Sequence, residues 1–377
     1  MLSNALAADR ALIADLETRI LDLERSLAAL RLQKRVAQER LDSYKYLVLT
    51  LPVEITSEIF IQFLPTYPLC PPVTGPLSPT FLTHICREWR AIALATPALW
   101  RAVALAGDDI SCHLISSILN RSGCYPLSIR MDYDEDEYGN VVCVPPGPKA
   151  FSAVLPYRAR WEYLKLRLAG LHLPPIEGGM PLLRCLDLEL DGDLHELLEF
   201  HGVPLLRAVT LDYNAARNVT LPWGQLTFVT LHEVASKECV PILQQATNLV
   251  YCQLDFCLSY CEDESLPDVT LPYLKSLCCN DILYNDPEAE YLDNFIVPSL
   301  RTLQITETLL RPDPIDSLAS FISKSGCKLE EVRITGKRLV SGSSYREVFP
   351  SIRTFFFTGA FVGDGKEERE AEGDSDS

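Results

Sequence analysis

The first fifty residues carry apolar side chains at alternating steps of three and four. The heptad positions a and d are occupied by Leu6, Ile13, Ile20, Leu27, Lys34 and Leu41, and by Asp9, Leu16, Leu23, Leu30, Ala37 and Tyr44. This spacing is that of a coiled-coil seam, and no Pro or Gly interrupts it. The pattern predicts a helix over residues 1–48. Either two copies pair in parallel through residues 6–44, or one amphipathic helix folds back on the body.

The pattern changes over residues 49–104. Pro52 suits the first turn of a helix, where its missing N–H costs nothing, and Ile55 and Ile59 lie one turn apart on the same face. The prolines between positions 65 and 79 then predict a loop.

Two more short helices should follow this loop. Ser78-Pro79 reads as the cap and first position of one helix, and Thr96-Pro97 as the start of another. Three helices in about fifty residues cannot bury all their apolar side chains among themselves. Some of these side chains should therefore meet a partner.

Residues 51–100 resemble an F-box. The blocks that carry the resemblance are Leu51-Pro52-x-Glu54-Ile55-x-x-x-Ile59-Phe60, Cys86-Arg87-x-Trp89-Arg90-x-Ile92-Ala93 and Thr96-Pro97-x-Leu99-Trp100. The last two blocks are most similar to the F-box proteins that are numerous in mushroom-forming fungi. The long proline-rich insertion departs from the family pattern.

The resemblance implies that the box binds a Skp-family adaptor and, through it, a cullin. The residues it assigns to this contact are Leu51, Pro52, Ile55, Ile59, Leu82, Ile85 and Trp89. It implies a substrate receptor of an SCF-type ubiquitin ligase, in which other subunits transfer ubiquitin. The alternative is a dimeric scaffold or interaction module that works independently of ubiquitin ligation.

Residues 105–362 repeat a short template: an apolar residue, two others, an apolar, one other, an apolar. The nine copies are Trp161/Leu164/Leu166, Leu183/Leu186/Leu188, Leu206/Val209/Leu211, Leu226/Val229/Leu231, Leu249/Cys252/Leu254, Leu274/Leu277/Cys279, Leu300/Leu303/Ile305, Leu329/Val332/Ile334 and Ile352/Phe355/Phe357. Their intervals of 20 to 29 residues match those of leucine-rich repeats. Each copy predicts one short strand, and stacking the copies buries a core that one unit could not bury alone.

The repeats depart from the leucine-rich pattern two places beyond each strand. Asn214 and Cys257 match the family's Asn or Cys there, whereas Asp191, Val234 and Ile282 do not. The sequence therefore predicts a degenerate solenoid of parallel strands with helical or irregular return segments.

Composition and charge narrow the range of partners. The formal net charge is -17, and residues 1–104 hold eleven basic and ten acidic side chains, so the rest of the chain carries -18. Such a surface repels phosphate backbones, which argues against nucleic acid. Either it favours a basic protein partner, or it is simply the surface of an acidic soluble protein. No apolar run is long enough to cross a membrane, and the N-terminus does not read as a secretory signal. A cytoplasmic or nuclear location is expected.

No catalytic constellation is evident, and neither an enzyme nor a cofactor is predicted. The nearest approach to a metal site is a group of thiols: Cys252, Cys257, Cys261, Cys278 and Cys279. Their spacings lack the usual pair separated by two residues. Buried structural thiols are expected instead.

Taken together, the sequence predicts an α/β protein in four parts. They are a coiled-coil helix at 1–48, a three-helix F-box at 49–104, a leucine-rich-repeat-like domain at 105–362 and a disordered acidic tail at 363–377. The repeat domain would bind the protein substrate, whose identity and contact residues are not readable from the sequence.

Overall fold

The computed structural model describes most of the chain. It covers residues 2–43, 47–106, 112–132, 148–169, 176, 178–191, 197–257, 267–281, 292–359, 361–363 and 366–368. The chain divides into two compact units, Met1–Ile59 and Phe60–Ser377. The predicted box therefore contributes residues to both units.

The first unit is helical. Helix α1, Leu2–Ser43, has 42 residues and is about 63 Å long at 1.5 Å per residue. The predicted long N-terminal helix is thus confirmed. The heptad side chains whose exposure is described, from Leu6 to Leu41, are all exposed. A short 3₁₀ turn, Leu47–Thr50, comes before helix α2, Val53–Phe63, whose last residues belong to the second unit.

The second unit is built on a parallel sheet of eleven strands that lie in the order of the chain. The strands are β1 (Ala102–Leu105), β2 (Leu127–Met131), β3 (Trp161–Ala169), β4 (Cys185–Asp191), β5 (Ala208–Leu211), β6 (Phe228–Val234), β7 (Tyr251–Phe256), β8 (Ser276–Asp281), β9 (Thr302–Thr306), β10 (Glu331–Thr335) and β11 (Thr354–Phe357). The α/β class and the parallel strands predicted from the repeats are present. The sheet begins three residues before the expected start at 105.

The apolar template positions stand in register across the sheet. The second members pair from Leu164 on β3 to Phe355 on β11, and the third members pair from Leu166 to Phe357. Because alternate residues of a strand point to opposite faces, this register places all of them on one face, where most are fully buried. The remaining strand residues form the opposite, largely polar face.

A tight turn comes before many of the strands. The N–H of Leu183 donates to the carbonyl of Met180 (3.2 Å), and the same bond joins Leu300 to Val297 (3.1 Å). Pro181 and Pro298 occupy the second position of these two turns, where the fixed φ of proline is preferred. The apolar residue that follows is thereby directed into the core.

The return segments are helical in part. The described helices between strands are α5 (Cys112–Arg121), α6 (Pro148–Val154), α7 (Tyr213–Asn218), α8 (Ser236–Gln245), α9 (Pro314–Ser325) and α10 (Gly342–Val348). Other returns include two-residue strands: Leu198–Glu199 pairs with Val219–Thr220, and Val269–Thr270 pairs with Phe295–Ile296.

The C-terminal segment is described only in part. Lys366–Glu368, within the stretch predicted to be disordered, pairs antiparallel with Phe361–Gly363. The rest of the predicted tail lies outside the described residues.

The remaining helices of the segment predicted to be a box share the core of the sheet. Helices α3 (Pro79–Ile85) and α4 (Arg87–Leu94) and the 3₁₀ turn Pro97–Trp100 precede β1. Phe60 and Trp100 are buried in the same apolar cluster as the strands. Trp100 also donates its indole N–H to the carbonyl of Ala93 (2.9 Å), which ties this 3₁₀ turn to α4.

The proline-rich insertion lies along the first edge of the sheet. The N–H of Ala104 on β1 donates to the carbonyl of Pro71 (2.9 Å), and the hydroxyl of Ser128 on β2 donates to that of Pro68 (2.6 Å). Tyr67 donates its hydroxyl hydrogen to Glu162 (2.7 Å). An unpaired edge strand invites association with other chains, and this loop covers it.

Candidate protein-binding surfaces

The first group of candidate adaptor residues surrounds the start of α2. The carbonyl of Pro52 accepts the N–H of Thr56 (3.0 Å), so Pro52 directly precedes the helix. Leu51 and Pro52 are exposed, and Ile55 and Ile59 expose 50% and 47% of their surface. Ile55 and Ile59 therefore form a narrow, exposed apolar stripe on this helix.

The second group belongs to the other unit, on α3 and α4. Ile85 is 47% exposed, as expected of a contact residue, whereas Leu82 is only 3% exposed. Trp89 is half-buried, with its ring edge-on to Phe60 at 4.9 Å between centroids. The sequence prediction that Leu82 is available for contact does not fit this burial.

The geometry of α3 explains why Leu82 is buried. Ser78 accepts the N–H of Phe81 (3.2 Å) and Pro79 occupies the first turn, which sets where the helix begins. Phe81 and Ile85 are four residues apart and share one face, and Phe81 is 42% exposed. Leu82 is rotated by about 100° from Phe81, toward the core.

Two aromatic residues were left out of the predicted contact set. Phe81 extends the exposed face of Ile85, and its ring lies parallel to that of Phe63 at 6.5 Å. Both rings are exposed. The four-residue step from Phe81 to Ile85 could have indicated this face, but the three-residue step from Leu82 fitted a helix equally well.

A second surface is the polar face of the sheet. On β3, Lys165 pairs with Asp187 (3.0 Å) and Arg167 with Glu189 (3.1 Å) on the neighbouring strand. Arg167 also contacts Asp132, the residue directly after β2, at 2.9 Å. Opposite charges thus alternate across strands β2 to β4 and hold one another in place.

Further along the sheet, this face carries amides. Asp255 on β7 accepts a hydrogen bond from Asn280 (2.8 Å) and pairs with His232 at 2.5 Å. The hydrogen bond to Asp255 raises the pKa of His232. A cleft of about 330 Å³ lies beside this group, with Gln253 and Gln304 among its walls. Such a surface can hydrogen-bond to the backbone or polar side chains of another protein.

Two of the thiols considered for a metal site are buried in the core. Cys252 and Cys279 face the apolar core, where burial raises the pKa of both thiols and disfavours the thiolate that a metal needs. Cys261 lies outside the described residues. Among the residues that the structure describes, no group of three or more His, Cys, Asp or Glu could hold a metal ion.

Within the described part of the chain, no helix combines the length and apolar character of a membrane span.

No protein-family model matches the chain, and no curated protein matches it significantly.

Proposed function

We propose that the chain is the substrate-recognition adaptor of an SCF-type cullin–RING ubiquitin ligase. In this proposal the box binds a Skp-family adaptor, and the sheet domain, a leucine-rich-repeat-like solenoid, holds the protein substrate. The chain itself performs no catalysis, since ubiquitin transfer belongs to other subunits.

The observation that carries the proposal is the exposed apolar stripe of α2. Ile55 and Ile59 each present about half of their surface, on the helix that opens the F-box resemblance. Burying one such side chain on a partner is worth about 1.5–3 kcal/mol. Exposed branched side chains one turn apart are the kind of anchor that a partner's apolar groove accepts.

The second unit offers a further apolar contact, considered by itself. Phe81 and Ile85 on α3 are exposed, so we propose them in place of the buried Leu82. Trp89, half-buried beside Phe60, presents only part of its ring.

The repeat-like sheet supports the role of substrate holder. Two residues that match the family's Asn or Cys position each bond to the backbone of the preceding repeat unit. Asn214 donates to the carbonyl of Leu190 (2.8 Å), and Cys257 to that of Glu233 (2.9 Å), each on the preceding turn of chain. A stack of this kind presents an extended surface suited to a protein ligand.

The test is binding of a purified Skp-family adaptor to the full chain, measured by calorimetry. The double variant Ile55→Glu/Ile59→Glu should weaken binding by about 100-fold, because it places two charges in an apolar contact. The matched control is Val348→Glu on α10, which is equally exposed and lies outside the box. Full binding by the double variant, or none by the unchanged chain, would refute the proposal.

A dimeric scaffold is the second candidate, favoured by the exposure of the apolar heptad positions along α1. Leu16 and Leu23, both at d, have no covering partner among the described residues of the first unit. A second copy would cover them as a parallel pair, and Arg19 at g could then meet Glu24 at e of the other copy. Dimerisation is compatible with the ligase role, and a chain that dimerises without binding the adaptor would favour the scaffold.

A further inference from the structure

A row of residues lies along the end of the sheet where its strands begin, because each repeat places one residue there. Each directly precedes a strand, and its N–H donates to the carbonyl of the corresponding residue one strand earlier. From Arg207 to Glu330 these bonds measure 2.8 to 3.0 Å. From β4 to β10 the row reads Arg184, Arg207, Thr227, Val250, Lys275, Arg301 and Glu330. Four of the seven are basic, in a chain whose net charge is -17.

The first and the last of the four basic residues in the row are neutralised. Arg184 pairs with Glu162 at 2.9 Å, and Arg301 pairs with Glu330. The two between them differ. Within the described part of the chain, neither Arg207 nor Lys275 has a carboxylate partner; the hydrogen bonds of the Arg207 guanidinium go to backbone carbonyls.

A groove of about 600 Å³ lies between these two cations. Thr227 and Val250, the intervening members of the row, line it, and the largely exposed ring of Tyr273 forms part of its wall. None of the described residues that line it is acidic. Its local charge is therefore positive, and more distant acidic side chains are screened beyond about 8–10 Å at physiological salt.

The spacing of the cations sets the length of a ligand that could engage both. Arg207 and Lys275 are three strands apart in the row, which is about 14 Å at 4.8 Å per strand. An extended peptide advances about 3.4 Å per residue. Two side chains four residues apart therefore match the two cations.

We propose that this groove, the Arg207–Lys275 groove, binds an extended acidic segment of another protein, with carboxylates four residues apart paired to Arg207 and Lys275. Tyr273 contacts an apolar residue midway between them, which points to the same side of the extended segment as the two carboxylates. The inference rests on the proposed function, since the segment would belong to the substrate. The expected ligand of this groove is therefore acidic, whereas the net charge of the whole chain favours a basic partner.

The test is fluorescence anisotropy with the full chain and a labelled peptide containing Glu-Thr-Val-Thr-Glu, at physiological salt, where the distant acidic side chains are screened. We expect saturable binding that added salt weakens. The Arg207→Gln/Lys275→Gln variant should bind about tenfold more weakly, because two exposed ion pairs are lost. The matched control, Arg184→Gln/Arg301→Gln, removes the same charge from residues that are already paired and should bind normally.

Several outcomes would overturn the inference: no saturable binding, equal binding of the Gln-Thr-Val-Thr-Gln peptide, or an equal loss in both double variants. Equal binding of a peptide with adjacent glutamates would refute the four-residue spacing. No ligase subunit takes part, so failure here leaves adaptor binding untouched. Failure of adaptor binding would likewise leave the peptide result standing.

Discussion

The hydroxyl of Tyr345 donates a hydrogen bond to Oε1 of Glu307 over 2.9 Å, deep beneath the last strands of the sheet. The same carboxylate accepts the backbone N–H groups of Leu339 and Val340. Both Glu307 and Tyr345 are almost completely buried. Burial, followed by the nearby Glu307 charge, raises the pKa of Tyr345. One buried carboxylate thus ties together the turn after β9, the loop before α10 and α10 itself.

Removing this hydroxyl should destabilise the second unit. Tyr345→Phe leaves the shape of the ring but takes one hydrogen bond from a buried carboxylate, which costs about 2 kcal/mol. Urea unfolding followed by circular dichroism measures the change. Tyr125→Phe, at an exposed tyrosine, is the control and should change the free energy of unfolding by less than about 0.5 kcal/mol. Equal stability of the two variants would contradict the buried bond.

The His232–Asp255 pair should make stability depend on pH. The hydrogen bond between His232 and Asp255 raises the pKa of His232 above the usual 6.5. Burial alone would raise the pKa of Asp255, but hydrogen bonds from His232, Asn280 and Gln253 outweigh it and hold the pKa below 3.8. Protonated His232 therefore contributes stability that is complete below about pH 6.5 and lost as pH rises through the folded pKa. Ionised Asp255 contributes stability that is complete above about pH 3.9 and is lost as pH falls through its lowered folded pKa.

The free energy of unfolding of the unchanged chain should therefore exceed that of the His232→Asn variant by more at about pH 5.5 than at about pH 9. The difference should be small, because His232 is half-exposed and water screens the pair. Urea unfolding at both pH values measures it, with His113→Asn, an exposed histidine of α5, as the control. A gain in relative stability at the higher pH would refute the sign.

The heptad of α1 predicts which leucines hold two chains together. Leu16→Lys/Leu23→Lys places charges at two d positions and should convert a dimer to a monomer. Leu21→Lys/Leu32→Lys makes the same change at positions b and f, where the leucines are also about half exposed, and should leave the dimer intact. Light scattering coupled to size exclusion gives the mass of each variant. A monomeric unchanged chain, or equal dissociation of both variants, would reject the coiled-coil pairing.

Periodicity along the chain predicted much of the sheet. Because side chains alternate between the two faces of a strand, the apolar template located nine strands and identified their buried residues, from Leu164 to Phe357. The end of α9 at Gly326 is also set by local geometry. That residue has a φ of +61°, and its N–H donates to the carbonyl of Ile322. Glycine adopts this conformation without a steric penalty.

The contact residues of α3 were less predictable. From Ile85, a step back of three reaches Leu82 and a step of four reaches Phe81, and both steps suit a helical face. A helix of two turns does not specify which side meets the rest of the protein. The position of the core decided that Leu82 is inside and Phe81 outside.

The sequence by itself determined the long helix, the strands and their inward residues, because each depends on side chains a few positions apart. Only the tertiary structure placed the proline-rich loop on the edge of β1, or aligned Arg207 with Lys275 across a groove. Those relationships join residues far apart in the chain, and they arise from the register of neighbouring strands and from which polar groups remain unpaired after the core is filled.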